Sequence, residues 1–149
     1  HNDMAIYSER SDDWVENLGR IHRKFDTARG IVPAPVIDYS ASKSVGIISY
    51  GSNDAAIQEA RDRMAADGLE TNYMRIRALP FNDQVADFVK KHDRVYVVEN
   101  NFDGQMWQIL RIEVPGDTSN MTSLALGDTL PMTARWVHTR IFQEENSQS

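Results

Sequence analysis

Two polar clusters follow short apolar runs of the sequence, and both contain residue types that can do chemistry. The first runs from Gly51 through Ser52 and Asn53 to Asp54, after the apolar run Val45–Tyr50. A strand-to-helix turn presents free backbone N–H groups and a partial positive charge, which suits an anion. This turn has one glycine, without the three of a dinucleotide fingerprint or the lysine of a P-loop, and Asp54 would compete with a phosphate. The pattern therefore favours a helix cap over an anion site.

The second cluster occupies residues 99–105 and follows the β-branched and aromatic run 95–98. Open α/β sheets bind ligands at the carboxyl ends of their strands. Glu99 and Asp103 are thus a candidate acid–base pair or, with the nearby amides, a candidate site for a hard cation. The spacing matches no known metal loop and no histidine is close, so a capping network or an interface lining is favoured. The residues predicted to contact a neighbouring subunit are Gly51, Ser52, Asn53, Asp54, Glu99, Asn100, Asn101, Gly104 and Gln105.

The other candidate residues form no catalytic or metal-binding set. The histidines show neither HxxxH nor HExxH spacing, which favours structural or surface roles; they are His1, His22, His92 and His138. Arg75 and Arg77 alternate with Tyr73 along a predicted strand. They either grip an acidic partner or cover a solvated face of the sheet. We therefore predict no catalytic, cofactor-binding or metal residue within the chain.

Composition excludes several classes of protein. The 149 residues include 22 acidic and 16 basic ones, which gives a net charge of −6 and argues against a free nucleic-acid binder. The absence of cysteine excludes disulfides, thiolate metal sites, Fe–S ligation and a cysteine nucleophile in this sequence. No apolar run is long enough to span a bilayer, and the first residues lack the pattern of a signal peptide. We expect a cytoplasmic protein.

Strands and helices must position the two clusters. From Val45 onward the sequence alternates between strand and helix patterns. Strands are predicted at residues 45–50, 71–79, 95–98 and 122–126. Helices follow the turn at Asp54, a cap at Asn82 or Asp83, and Gly104. A last helix covers about residues 132–143, with Pro131 in its first turn. Three βα units predict a three-layer α/β/α sandwich with a mostly parallel sheet.

The amino-terminal part has a different pattern. Four large apolar residues fall at helical spacing, with Ser11 or Asp12 as the cap and Gly30 as the end; they are Trp14, Leu18, Ile21 and Phe25. Residues 31–44 are predicted to form an extended connector. This stripe packs either on its own domain or on a neighbouring domain, and the sequence leaves both open.

These patterns divide the chain into three parts. Residues 1–43 are predicted to be a helix and connector that belong to a preceding domain, residues 44–143 the α/β domain, and residues 144–149 a frayed tail. We expect the chain to be a piece of a longer polypeptide.

Several strings resemble one family in the right order along the chain. They are VGIISYGS at 45–52, EA at 59–60, RIRALPF at 75–81, and VVENN with GQ at 97–101 and 104–105. The likeness continues on both sides of these strings. Upstream it includes RKFDTAR at 23–29 and VPAPV at 32–36, and downstream it includes LPMTARW at 130–136. The family is the alpha subunit of 2-oxoacid:ferredoxin oxidoreductases, especially the 2-oxoglutarate type. The matching part is that subunit's C-terminal, transketolase-C-like domain.

The resemblance implies that the intact enzyme decarboxylates a 2-oxoacid on thiamine diphosphate, forms an acyl-CoA and passes electrons to ferredoxin. The diphosphate, Mg²⁺ and Fe–S sites would then lie mainly in the beta subunit, and the alpha subunit's share of the cofactor interface would lie in its earlier pyrimidine-binding domain. This domain would support subunit assembly and would hold no cofactor and no catalytic residue. Self-association of the chain stays open, as do two other functions: a stand-alone small-ligand or anion-binding module, and the C-terminal domain of another thiamine enzyme.

Overall fold

The computed structural model describes residues 1–39 and 44–147. The helices are α1 (Ser11–Arg29), α2 (Asp54–Ala66), α3 (Asp83–Lys91), α4 (Gln105–Glu113) and α5 (Ala134–Ser147). The strands are β1 (Val36–Asp38), β2 (Val45–Tyr50), β3 (Asn72–Ile76), β4 (Arg94–Glu99) and β5 (Met121–Ala125).

The five strands form one sheet in the order β1-β3-β2-β4-β5. Strands β2 to β5 run parallel, and β1 pairs antiparallel with β3 at one edge. After β2 the chain moves to β3 on one side, whereas β4 and β5 lie on the other side. The order of the strands therefore reverses between β2 and β4, where the carboxyl ends of two neighbouring strands diverge into helices.

The core has two layers because both faces of the sheet are covered. Ile47 and Tyr96 point to the layer formed by α2 and α5, whereas Ile48 and Val97 point to the layer formed by α3 and α4. All four side chains are fully buried. Burial of both faces explains why β2 and β4 are nearly continuous apolar runs, without the alternation of a half-exposed strand. The three-layer α/β/α prediction and the mostly parallel sheet are confirmed.

The connector predicted at residues 31–44 contains the strand β1, which the sequence analysis did not anticipate; residues 40–43 lie outside the described residues. Val36 lies opposite Arg75, and Asp38 lies opposite Tyr73. Arg61 of α2 fixes this edge, because its guanidinium contacts Asp38 Oδ2 at 2.8 Å and donates to the carbonyl of Thr71 at 2.9 Å. Part of the segment that we assigned to a preceding domain is thus an edge strand of this sheet.

Helix α5 differs from its prediction at both ends. It begins at Ala134 rather than at Met132, so Pro131 is not in its first turn, and the hydroxyl of Thr133 accepts a bond from the N–H of Trp136 at 3.3 Å. The predicted frayed tail from Glu144 is helical as far as Ser147. Gln148 and Ser149 lie outside the described residues. The helix buries Ala134, Val137 and Ile141, while Trp136 and Phe142 pack at the margin of this core layer.

The predicted caps are only partly right. Arg10, rather than Ser11 or Asp12, precedes the first turn of α1, and its side chain pairs with Asp12. Asn82 does precede α3, as predicted, but its side chain does not cap the helix. Gly30 follows the last residue of α1, as predicted.

His92 is a buried structural histidine beside β2. Its Nδ1 lies 2.7 Å from the carbonyl of Phe88, and Nε2 lies 2.9 Å from the side-chain nitrogen of Asn72. Nδ1 therefore carries the proton and Nε2 accepts, which is a neutral ring. The ring also contacts Phe88 and packs under Gly46, where a Cβ would come within 3.0 Å of it. Burial lowers the pKa of His92 from its usual 6.5.

This histidine should make stability depend on pH. Unfolded His92 takes up a proton near pH 6.5, whereas the folded ring resists protonation, so its contribution is complete above that pH and is lost as the pH falls below it. We expect the urea midpoint of the wild type to fall between about pH 7 and 5 by more than that of His92→Gln. The exposed His22→Gln serves as the control and should behave as wild type. Equal pH dependence of wild type and His92→Gln would contradict the assignment.

Candidate functional site at the carboxyl edge of the sheet

The two polar clusters found in the sequence meet in the structure. Because β2 and β4 are neighbouring parallel strands, residues 51–54 and 99–105 flank the same edge of the sheet, at the point where the strand order reverses. Tyr50, the last residue of β2, lies beside Asn101 of the second cluster. Burial and the nearby charge of Glu99 raise the pKa of Tyr50 above its usual value. Its hydroxyl therefore stays protonated at neutral pH.

The first cluster forms a single 3-10 turn, residues 51–53, before α2. Gly51 has φ +65° and is exposed, as is Ser52. Asn53 is buried instead: its side-chain nitrogen donates to Ser49 Oγ at 3.3 Å, and that hydroxyl donates to the carbonyl of Val98 at 2.7 Å. The side chain of Asn53 is therefore engaged within the domain, and its contact with a neighbour stays a prediction. Its role is to tie the end of β2 to β4.

Asp54 supplies a negative charge to the amino terminus of α2 from within the chain. Its carboxylate contacts Arg75 Nη1 at 2.8 Å and accepts from the hydroxyl of Tyr73 at 3.1 Å. Burial, followed by the charge of Asp54, raises the pKa of that hydroxyl. An entering phosphate would have to displace or face this carboxylate. Arg75 is thus engaged within the domain, whereas Arg77 is exposed.

Glu99 supplies a negative charge to the amino terminus of α4. The side chain is completely buried and accepts hydrogen bonds from the backbone N–H groups of Met106 at 3.0 Å and Trp107 at 3.1 Å. The carboxylate at the end of β4 therefore satisfies two of the free donors at the start of the helix. Gly104 is buried with φ +65°, and a Cβ there would lie 2.7 Å from Ser123 Oγ. Only glycine fits both the backbone and the space.

These observations bear on three of the functional predictions for residues 99–105. Glu99 and Gly104 are buried within the chain, so their contact with a neighbouring subunit stays a prediction without support from their exposure. Glu99 also forms no acid–base pair with Asp103, because its oxygens are engaged at the helix terminus while Asp103 lies exposed in the loop. The start of α4 is therefore capped by Glu99, and the first turn of α2 contains the carboxylate of Asp54, which pairs with Arg75.

The exposed remainder of the two clusters forms one surface, which we call the edge patch. Its members are the exposed Gly51, Ser52, Asn100, Phe102 and Gln105, together with the half-buried Asn101; Asp103, also exposed, lies beside them in the loop. The side chains of Asn101 and Gln105 bond at 3.1 Å, and Asn100 donates to the carbonyl of Leu130 at 3.2 Å. These hydrogen bonds hold the amide side chains of the patch in place without a partner protein.

Phe102 is the member that sequence reasoning missed. It is 83% exposed at the tip of the loop between β4 and α4. A Cβ on Gly127 would lie 2.6 Å from the ring of Phe102, so this glycine leaves the room that the ring occupies. A lone aromatic residue within a polar string was the signal in the sequence. A large apolar side chain held at the tip of a rigid loop is typical of a protein–protein contact.

The donor set of this edge does not fit a diphosphate held by Mg²⁺. Both helix termini that could bind the phosphates already carry a carboxylate, from Asp54 and Glu99. Within residues 1–39 and 44–147, no three histidine or acidic side chains are grouped so that they could hold a metal ion. Nor do these residues include a helix with the length and apolarity that a bilayer crossing requires.

The alternative of an anion-binding module is directly testable. We expect phosphate, ADP or coenzyme A at millimolar concentration to leave the melting temperature of the chain unchanged, because Glu99 occupies the donors of α4 and Asp54 places a carboxylate in the first turn of α2. Differential scanning fluorimetry checks this, with sodium chloride at matched ionic strength as the control. A saturable rise in melting temperature with any of these ligands would contradict the interpretation.

Solved structures share this fold, whereas no known family's sequence profile matches the chain. A 2-oxoglutarate:ferredoxin oxidoreductase from Magnetococcus marinus, with 2-oxoglutarate, coenzyme A and succinyl-CoA bound, superposes with a TM-score of 0.80 at 22% identity. The match covers 97% of this chain and 25% of that one. This chain thus spans about a quarter of that protein.

Two further structures are similar over smaller parts. A split-gene transketolase, an inactive beta4 tetramer, matches 73% of this chain and 40% of its own at a TM-score of 0.56 and 18% identity. The alpha chain of a probable 2-oxoacid ferredoxin oxidoreductase from Thermoplasma acidophilum has a TM-score of 0.51 at 16% identity, over 76% of this chain and 97% of its own. The chain therefore has the transketolase-C-like fold that the resemblance implied.

Proposed function

We propose that this chain is the C-terminal domain of the alpha subunit of a cytoplasmic 2-oxoacid:ferredoxin oxidoreductase of the 2-oxoglutarate type, and that it supports subunit assembly. The observation that carries the proposal is the extent of the likeness to the Magnetococcus enzyme. At 97% coverage the match leaves out only a few residues, so it must take in α1 and β1 as well as the sheet domain. The likenesses to the transketolase and to the Thermoplasma alpha chain each leave out about a quarter of the chain.

The positions of the resembling strings support the same conclusion. The string at 45–52 is β2 and the start of its turn, and the strings at 97–101 and 104–105 are the end of β4 and the start of α4. Both therefore lie at the reversal of the strand order and include members of the edge patch. These two strings, among those spread along the chain, are the ones that contribute to the edge patch.

When bound in the complete enzyme, thiamine diphosphate with Mg²⁺ would supply the chemistry that decarboxylates the 2-oxoacid, with an Fe–S cluster passing electrons to ferredoxin and coenzyme A receiving the acyl group. The residues of this chain would take no part in the bond changes. Their contribution is position, because catalysis at a shared interface depends on placing the reacting groups to within about an ångström. The neighbours that the edge patch would contact are the beta subunit and the remaining alpha or gamma domains.

The edge patch is suited to that task because it is rigid. Glu99 fixes the start of α4, and Asn53 fixes the end of β2 against β4 through Ser49. The loop between these anchors presents Phe102 and the paired side chains of Asn101 and Gln105. Little conformational entropy would be lost when a partner binds a surface that is already ordered.

Substitutions in the edge patch of the complete complex test the proposal. We expect Asn101→Ala and Gln105→Ala to weaken assembly or turnover, and Phe102→Asp to reduce the recovered complex by roughly tenfold or more. Gel filtration of the complex and 2-oxoacid-dependent dye reduction measure the two effects. Gln143→Ala is the matched control, because Gln143 is an exposed amide in the carboxyl-terminal half of α5 and is not a member of the edge patch. Normal assembly and turnover in all three patch variants would contradict the contact assignment.

A further inference from the structure

A second loop at the carboxyl edge of the sheet also carries an exposed apolar side chain. Leu130 is 62% exposed and lies between β5 and α5. The loop that contains it starts beside the loop of Phe102, because the N–H of Leu126 donates to the carbonyl of Glu99 at 2.9 Å. Because β4 and β5 are neighbouring parallel strands, the two loops that follow them share one surface.

Contacts farther along the two loops keep them together. Asn100 donates from its side chain to the carbonyl of Leu130 at 3.2 Å, and the ring of Phe102 occupies the room that Gly127 leaves. Phe102 is 83% exposed, so each loop places a large apolar side chain in solvent. We call Phe102 and Leu130 the apolar pair. Both members belong to the same small surface, because each takes part in a contact with the other loop.

The charges that flank the apolar pair have the same sign. Asp103 directly follows the aromatic member, and Asp128 lies two residues before the aliphatic one; both are exposed. Neither loop has a basic residue, and in the part of the chain that the structure describes no basic side chain forms an ion pair with either carboxylate. Arg135, the next basic residue along the chain, lines a different cavity together with Arg63. The apolar pair is therefore flanked by negative charge.

The backbone that presents Leu130 is strained. Thr129 has φ +67°, in the left-handed region that a β-branched residue rarely adopts. Such conformations persist where the surrounding structure imposes them, and they cluster at functional sites. Asp128 helps to impose this one, because its Oδ1 accepts from the N–H of Leu130 at 3.0 Å. The loop thus holds Leu130 in one position.

We propose that the apolar pair inserts into an apolar pocket of a neighbouring subunit, and that lysine or arginine side chains on the rim of this pocket face Asp103 and Asp128. An apolar centre with charges at its edge is the usual arrangement of a protein interface. Desolvation of the pair supplies most of the binding energy, whereas the two carboxylates attract a basic partner and repel an acidic one. The inference rests on the proposed function, which supplies the neighbouring subunit.

Removing the charge of both carboxylates tests the sign of the partner's rim. The double variant Asp103→Asn with Asp128→Asn keeps the size of both side chains and the oxygen that accepts from Leu130. We use the complete subunit that contains this chain and its purified partner subunit. In about 0.05 M NaCl we expect the association rate to fall about fivefold or more, because charges on the rim act mainly on association. In about 1 M NaCl, where the screening length is about 3 Å, variant and wild type should associate equally fast.

The matched control is Asp62→Asn with Glu70→Gln. It changes the net charge by the same amount at two exposed carboxylates, one in the carboxyl-terminal half of α2 and one before β3, outside both loops. This control should associate at the wild-type rate. If the loop variant associated as fast as the wild type in about 0.05 M NaCl, or faster, the rim of the partner would be uncharged or acidic and the inference would be overturned.

Leu130→Ser tests the apolar part of the contact. We expect the partner subunit to dissociate about tenfold faster from this variant, because the loss of a buried apolar contact acts mainly on dissociation. Ile112→Ser is the control, since Ile112 is 81% exposed on α4 but lies outside both loops. Circular dichroism should show both variants folded. Dissociation of Leu130→Ser at the wild-type rate would also overturn the inference.

This inference and the proposed function fail separately. A wild-type complex without 2-oxoacid-dependent dye reduction would contradict the oxidoreductase assignment, whatever the loop variants do to association. An active complex whose loop variants associate and dissociate like the wild type would contradict only the apolar pocket with a basic rim.

Discussion

Replacing Glu99 with alanine is expected to lower the free energy of unfolding by about 3–4 kcal/mol. The substitution would leave the N–H groups of Met106 and Trp107 without their acceptors in a buried site and would open a cavity at the end of β4. It would also remove the negative charge that opposes the partial positive charge of the α4 terminus. Urea denaturation monitored by tryptophan fluorescence measures the change.

Two variants distinguish helix capping from simple loss of volume. Glu99→Gln keeps the volume and one acceptor oxygen but loses the charge, so we expect a smaller loss of about 1–2 kcal/mol. Asp103→Ala removes an exposed carboxylate from the same loop and should change stability by less than about 0.5 kcal/mol. If Glu99→Gln were as stable as the wild type, the charge would have no role at the helix terminus.

Replacing Glu145 with alanine should lower the free energy of unfolding by about 2–3 kcal/mol. Its carboxylate bonds Arg94 Nε at 2.7 Å and Nη2 at 2.9 Å, and it accepts from the hydroxyl of Tyr96 at 2.5 Å. Tyr96 is fully buried, and burial followed by this hydrogen bond raises its pKa. Partial exposure of Arg94 keeps the loss below that of a completely buried pair.

The neighbouring Glu144 provides the control for this bond. Glu144 pairs only loosely with Arg140, at 3.8 Å along the same helix, so Glu144→Ala should cost about 0.5 kcal/mol or less. Thermal unfolding of the two alanine variants side by side checks the difference. Equal melting temperatures would show that the end of α5 is not held to β4 by Glu145.

The sequence predicted the elements whose signals are local. The apolar runs of β2 and β4 read as buried parallel strands, and the turns at Asp54 and Gly104 placed the starts of α2 and α4. Because parallel strands end at one edge of a sheet, the sequence also indicated that the two polar clusters would lie at such an edge.

The features that could not be predicted from the sequence depend on contacts between distant parts of the chain. Strand β1 has three residues and is defined by its pairing with β3, far along the chain. The end of α5 is set by Arg94, which precedes Glu145 by 51 residues. Glu99 looked exposed because it is acidic and follows a strand. Its burial is compensated by N–H groups that become available only when α4 forms behind it.

We propose that this chain serves as a non-catalytic domain of a 2-oxoacid:ferredoxin oxidoreductase. The most direct measurement is 2-oxoacid-dependent reduction of a one-electron dye by two samples: the complex purified through this chain with its native partners, and the chain alone with added thiamine diphosphate, Mg²⁺ and coenzyme A. We expect the complex to reduce the dye and form an acyl-CoA only when both 2-oxoglutarate and coenzyme A are present, and the chain alone to be inactive. Turnover by the chain alone, or a complex without any 2-oxoacid-dependent activity, would contradict the claim.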